Sequence, residues 1–406
     1  MAVGLSIPDD IFSVEGIRLG SVAAGIRYQG RDDLVLMELA EGSTTAAVFT
    51  QNAFCAAPVM LAKQHLACAV PRYLLINSGN ANAGTGKQGM LDAARSTSLV
   101  AEVTGCNQEQ VLPFSTGVIS EDLPMAAFEK GILQASQVLD ESAWETAAAA
   151  IMTTDTVPKL VSRCIDIQEH KVTITAMVKG SGMIRPDMAT MLAFIGTDAA
   201  VSGGVLQACL QAAVNDSFNL ISVDGDTSTN DACVVVATGK NAMPVIADLD
   251  SPEGQAFYHC LLEVCQELAQ ACVRDGEGAT KFVTVAVESG ASREECHLVA
   301  ETIANSPLVK TALFASDPNW GRILAAVGRA GVEDLDIARI EIYLGDVCIV
   351  QQGGRAPAYQ EQQGQQVMSE EEITIRVVLN RGTASLQVWT CDLSYDYVRI
   401  NAEYRT

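Results

Sequence analysis

The stretch Lys179-Gly180-Ser181-Gly182-Met183-Ile184-Arg185-Pro186-Asp187-Met188-Ala189-Thr190-Met191-Leu192 decides how the chain is read. It is glycine-rich, holds a proline, and sets a small residue before a hydroxyl residue at Ala189-Thr190. A β-hydroxyl next to a peptide carbonyl can attack it in an N→O acyl shift. Hydrolysis of the resulting ester cuts the chain and leaves Thr190 as a new N-terminus. That residue carries its own base, the free α-amine, beside its own nucleophile, Oγ. An α-amine with a reference pKa of about 8 is partly neutral at physiological pH and can accept a proton. The same residues also read as a plain turn entering a buried strand, Met191-Leu192-Ala193-Phe194-Ile195.

On the N-terminal side, residues 171–178 alternate cleanly and predict a strand that delivers the chain into this stretch. Before it, two helices are expected over about 124–139 and 141–152, the second ending in Thr153-Thr154-Asp155-Thr156-Val157-Pro158-Lys159. Pro158 stops further helix, and three Thr with an Asp suit capping or ligand binding. Short strands are expected at 25–28, 34–39, 45–50 and 73–77, and a helix over about 90–103. Val111-Leu112-Pro113-Phe114-Ser115-Thr116-Gly117-Val118-Ile119 reads as an apolar strand broken at Ser-Thr-Gly. Such a break can aim a hydroxyl and a bare backbone N–H at a ligand, which are the parts of an oxyanion hole. Gly84-x-Gly86-x-x-Gly89 has the spacing of a dinucleotide fingerprint, but six residues separate it from the strand end at Asn77. A tight turn is the better reading.

On the C-terminal side the pattern predicts helices over about 205–214, 252–273 and 293–304, and another from Ile323. Strands are expected at 232–237, 282–287, 340–343, 347–350, 373–378 and 385–389. Asp224-Gly225-Asp226-Thr227-Ser228-Thr229-Asn230-Asp231 is acceptor-rich, yet it lacks the twelfth-position Glu and flanking helices of a calcium loop. Glu277, in the turn before the strand at 282, is placed to hold a substrate amine. Residues 351–371 read as a polar surface loop, and the end of the chain as a packed strand running to Thr406.

The chain has 406 residues, 49% hydrophobic and 18% charged, with a formal net charge of −23. That suits two or three domains with sizeable cores and argues against nucleic acid and anionic membranes as partners. Its 12 Cys form no C-x-x-C, and its four His have no zinc-site spacing. Neither a secretory signal nor a membrane-spanning run of about 18 apolar residues is visible, so a reducing, cytoplasmic setting is expected. Scarce histidine also weakens any Ser-His-Asp or Cys-His reading, and favours an N-terminal amine as the base.

Seven motifs in order resemble one family over essentially the whole chain, the ornithine acetyltransferases of arginine biosynthesis. They are Asn77-Ser78-Gly79-Asn80-Ala81-Asn82-Ala83, Ser115-Thr116-Gly117-Val118-Ile119, Met152-Thr153-Thr154-Asp155-Thr156 and the stretch from Lys179 to Leu192. The others are Asp224 to Asp231, Asp275-Gly276-Glu277-Gly278-Ala279-Thr280-Lys281 and the tail from Asn401 to Thr406. The resemblance implies a mixed α/β fold: a layered α-β-β-α sandwich core with a smaller C-terminal α+β domain. It implies self-cleavage between Ala189 and Thr190 into chains 1–189 and 190–406 that assemble as α2β2. In this division 190–285 completes the core and 286–406 is the C-terminal domain.

By the same resemblance Thr190 is the acetylated nucleophile, and Thr116 and Gly117 form the oxyanion hole. Thr153, Lys179, Thr190, Glu277, Asn401 and Thr406 contact the substrate, with the choice between Thr153 and Thr154 left open. The implied reaction moves acetyl from N2-acetylornithine to glutamate without metal or organic cofactor. Acetyl-CoA is a second donor only in the bifunctional version. One departure stands at Asp187, where the family usually carries Asn; a carboxylate there bears on the rate of self-cleavage and leaves the nucleophile in place. The competing expectations are a self-processed amidase or aminopeptidase, and a non-enzymatic binding protein.

Overall fold

The computed structural model describes residues 2–8, 10–185 and 191–404. In chain order the first elements are β1 (Ile17–Val22), β2 (Leu34–Leu39), β3 (Thr44–Phe49), α1 (Ala57–Cys68), β4 (Tyr73–Asn77) and α2 (Gly86–Thr104). There follow β5 (Val111–Ser115), α3 (Met125–Gln137), α4 (Trp144–Ala150), β6 (Lys159–Ile167) and β7 (His170–Lys179). After the glycine-rich stretch come β8 (Leu192–Thr197), α5 (Gly203–Asn215), β9 (Ile221–Ser222), β10 (Ala232–Ala237), α6 (Pro252–Arg274) and β11 (Phe282–Gly290). Next are α7 (Arg293–Ala304), α8 (Pro307–Phe314), α9 (Trp320–Gly328), β12 (Glu341–Leu344), β13 (Val347–Gln351) and β14 (Gly354–Arg355). The last are α10 (Glu361–Met368), β15 (Glu372–Val378), β16 (Ala384–Cys391) and α11 (Tyr395–Glu403).

Among the described residues the strands form three sheets, ordered β1-β2-β4-β5, β3-β10-β8-β7-β6 and β14-β13-β12-β15-β11-β16-β9. The period-2 alternation of the strands stacks the first two face to face. In β2, Val35, Met37 and Leu39 point into a core shared with Leu192 and Phe194 of β8 and with Ala232, Val234 and Val236 of β10. Leu34 and Leu36 point the other way, onto Leu99 and Val100 of α2 and Phe128 and Ile132 of α3. On the far side, Ala193, Ile195, Cys233 and Val235 pack against α5 and α6 through Leu206, Leu210, Leu261 and Leu268. The order of layers is therefore helix, sheet, sheet, helix. Phe114 and Phe194 meet edge to face across the two sheets, with ring centroids 5.1 Å apart. The third sheet, with α7, α8, α9 and α10, extends the α6 side of the core.

Three expectations are corrected. Residues 25–28 are not a strand: the Asp33 carboxylate accepts the N–H groups of Ala24, Gly25 and Ile26 at 2.8, 3.2 and 2.7 Å and bends the chain around itself. The 351–371 run contains β14 and α10, the latter opened by a reciprocal capping box between Gln360 and Gln363. The tail is helix α11 and not a strand. Ser394 caps it by accepting Asp396 N–H at 3.2 Å, and its apolar Tyr395 and Val398 face solvent. Helices α1 and α8 were not anticipated.

Candidate active site

The first wall is built where β5 ends. Thr116 N–H bonds to Asn77 O at 3.0 Å and Val118 N–H to Gly79 O at 3.2 Å, so the backbone crosses directly over Gly79-Asn80. At the crossing Gly117 has φ +135°, a region that L side chains rarely adopt. A Cβ there would lie 2.5 Å from Asn80 N and 2.6 Å from Gly79 O, both backbone atoms. Asn230 Nδ2 fixes the crossing by donating to Ala81 O at 2.6 Å and Ser115 O at 2.9 Å. Among the described residues Gly117 N–H makes no hydrogen bond, although Thr116 and Val118 on either side do.

The second wall is the end of β7. Lys179 Nζ reaches Thr116 Oγ1 at 3.1 Å. Thr116 and Lys179 are each 9% exposed and border a cleft with about 270 Å³ of free volume. The sequence-predicted Thr116, Gly117, Thr153, Lys179, Glu277 and Asn401 all line this one cleft, drawn from five separate stretches of chain. Both Thr153 and Thr154 face it. Ala189, Thr190 and Thr406, and with them Asp187, lie outside the described residues.

The third wall carries Glu277, whose carboxylate accepts Asn401 Nδ2 at 2.6 Å. Burial raises its pKa, while hydrogen bonds from Thr154 and Asn401 pull it back. Such an acid prefers a partner that brings positive charge, which suits an ammonium group. Gly182 lets it approach: a Cβ on that residue would sit 2.5 Å from either Glu277 carboxylate oxygen. The glycine-rich segment itself is pinned by Asp224, which accepts Met183 N–H at 2.6 Å and Ile184 N–H at 2.9 Å. Asp224 of the acceptor-rich run thus holds backbone of the glycine-rich segment.

Beneath the cleft lies a buried ionic triad. Lys159 Nζ bonds Asp155 Oδ1 and Asp275 Oδ2, each at 2.6 Å, and all three side chains are at most 1% exposed. Asp155 also accepts Thr153 N–H at 3.0 Å and Gly180 N–H at 2.8 Å. Asp275 accepts Thr156 N–H at 2.9 Å and the Thr156 hydroxyl, and its own carbonyl receives Ser181 Oγ at 2.6 Å. The triad ties the loops bearing Thr153, Lys179 and Glu277 into one unit. Burial opposes charge on Asp155, but Lys159, Lys179 and its hydrogen bonds hold it well below the usual carboxylate range. Removing Lys159 strands two buried carboxylates. Lys159→Met is expected to cost about 3–5 kcal/mol, read as a lower midpoint in denaturant.

Asp231 is buried at the start of β10, with Oδ2 unpaired among the described residues. Burial pushes its pKa well up, against the opposing influence of Ser228 and Lys179. It borders a small recess with Thr116, Lys179, Met191, Ser228 and Asn230. Sequence reasoning had Asp155, Asp224, Asn230 and Asp275 inside its motifs without a role, because their partners lie far away in the chain. Among the described residues no group of three or more His, Cys, Asp and Glu could hold a metal ion. No described helix is long and apolar enough to cross a membrane.

The profile of the ArgJ family matches residues 18–406. The chain is 56% identical over its whole length to all of the arginine biosynthesis bifunctional protein ArgJ of Pseudomonas fluorescens (strain Pf0-1). It is 58% identical to the protein of the same name from Methylococcus capsulatus, over 97% of this chain and 96% of that one. The crystal structure of the arginine biosynthesis bifunctional protein of Bacillus halodurans aligns over its entire chain with 53% of this one, at 42% identity and a TM-score of 0.51. With matches of this extent, the chain belongs to the ArgJ family, the acyltransferases of arginine biosynthesis.

Proposed function

We propose that the protein cleaves itself between Ala189 and Thr190 and then transfers acetyl from N2-acetylornithine to glutamate through an acetyl-Thr190 intermediate. The observation that supports this best is the pair of unused donors at one end of the cleft. Gly117 N–H has no partner among the described residues, and Thr116 uses its oxygen as an acceptor toward Lys179. Both residues line the volume shared with Glu277 and Asn401. Two convergent donors stabilise an oxyanion where charge develops, and losing one typically costs about 10²–10³ in rate.

Thr190 Oγ, deprotonated by its own α-amine, attacks the acetyl carbonyl. The tetrahedral oxyanion is held by the Thr116 hydroxyl and Gly117 N–H. The C–N bond breaks, ornithine leaves with the proton held by the amine, and the acetyl ester remains. Glutamate's amine then attacks the ester and releases N-acetylglutamate, a ping-pong cycle. Lys179 suits the substrate α-carboxylates, while Glu277 and the terminal carboxylate of Thr406 suit the ornithine ammonium. Thr153 and Asn401 complete the substrate contacts. The cleaved chains, 1–189 and 190–406, stay together as α2β2, and acetyl-CoA serves as a second donor, in keeping with the relatives' name "bifunctional".

The acceptor decides the case. Incubation with N2-acetylornithine and glutamate is expected to give N-acetylglutamate, and acetyl-CoA with glutamate the same product. Release of free acetate in place of N-acetylglutamate would make the protein an amidase and sink the transferase reading.

A further inference from the structure

The Lys179–Thr116 contact has only one possible direction. An ammonium has three donors and no acceptor, whereas a hydroxyl has one donor and two lone pairs. Lys179 Nζ therefore donates, at 3.1 Å, and Thr116 Oγ1 accepts. The hydroxyl proton must then leave along another direction, and no described residue accepts it. Thr116 lines the cleft and also the small recess beside Asp231, with which its hydroxyl makes no hydrogen bond.

The backbone that carries Lys179 is held in place. The next residue, Gly180, is tied to Asp155 through its N–H at 2.8 Å, and Ser181 is tied to Asp275 O at 2.6 Å. Asp155 and Asp275 are locked in turn by Lys159. Two carboxylates and two ammonium groups make this buried set neutral, so the Lys179 charge is balanced from below while its tip meets Thr116. A positive charge fixed in a poorly solvated place, one atom behind a hydrogen-bond donor, strengthens that donor and stabilises negative charge arriving in front of it.

We propose that Lys179 is a positioning residue for the acyl-transfer step, its ammonium occupying a Thr116 lone pair and turning the hydroxyl proton onto the substrate's acyl oxygen. Asp155, Lys159 and Asp275 hold it there. The inference rests on the oxyanion role of Thr116 proposed above and adds to the carboxylate grip assigned to Lys179.

The two roles separate with a donor that has no carboxylate. 4-Nitrophenyl acetate delivers acetyl to the nucleophile and releases nitrophenolate, which is read directly. With a positioning role, Lys179→Met slows nitrophenolate release by roughly tenfold to a hundredfold, somewhat less than loss of a donor itself. With N2-acetylornithine it lowers kcat as well as raising KM. In a Thr116→Val background the same change has no further effect on nitrophenyl acetate. Lys179→Arg, run through the same cycle, gives the same pattern with a smaller loss and covers the case in which the Met variant does not fold. Normal nitrophenolate release by the Lys179 variants with only KM for N2-acetylornithine raised, or losses that add to that of Thr116→Val, would overturn the inference while leaving the transferase function standing. A wild-type protein that reacts with neither donor would remove both.

Discussion

Thr190→Ala is expected to run as one uncut chain on a denaturing gel, with acetyl transfer lowered by roughly 10⁶, the scale seen when a covalent nucleophile is removed. One hydroxyl is asked to do two jobs. Without Oγ the Ala189 carbonyl meets no nucleophile, so no ester forms and no new α-amine appears. Without that amine the cleft lacks its base, and with four His in the whole chain none of the residues lining it is an imidazole. Thr190→Ser keeps a hydroxyl and is expected to cut and to transfer, both more slowly. An alanine variant that is cleaved to completion, or that transfers acetyl at a tenth of the normal rate, would remove Thr190 from both roles.

Gly117→Ala is the second large effect. The added methyl carbon lands 2.5 Å from Asn80 N and 2.6 Å from Gly79 O, closer than atoms can lie, and the neighbours are backbone held by the bridges from Asn80 to Thr116 and Val118. The φ of +135° is also one that alanine resists. The backbone must move, and the Gly117 N–H moves with it. A fall of about 10²–10³ in kcat is expected, with a smaller change in KM, because an oxyanion donor acts in the transition state and little in the ground state. The strain costs about 1–3 kcal/mol of stability as well. Thermal unfolding separates the two: unchanged kcat in a correctly folded variant would leave Gly117 a turn residue only.

Individual elements were legible where the apolar pattern is regular, whereas the layered sandwich was read from the family resemblance alone. β7 alternates in sequence, while β8 and β10 are continuous apolar runs buried on both faces, and only the folded chain shows which of their residues enter which core. Helix α6 is legible from its regular stripe, with Phe257, Leu261, Val264 and Leu268 on one face. Helix α1 was hidden because its apolar residues follow no clean stripe and Pro58 stands in its first turn, where proline is tolerated. The tail misled because Tyr395, Tyr397 and Val398 look strand-like, yet the serine before them caps a helix whose apolar side chains are exposed. The site was legible as motifs and not as geometry. Nothing in the spacing of Asp155, Lys159 and Asp275 says that they meet, since the last is more than a hundred residues from the others. Likewise Asn230 reaches back to the carbonyls of Ala81 and Ser115, a contact only the folded chain creates.

The most direct measurement is mass spectrometry of the purified protein after mixing with N2-acetylornithine and no acceptor. Two chains separating at the Ala189-Thr190 bond are expected, the second carrying a single acetyl group on its N-terminal Thr190, which disappears when glutamate is added. An active protein that stays one chain, or an acetyl group found on any other residue and still passed to glutamate, would contradict the proposed mechanism.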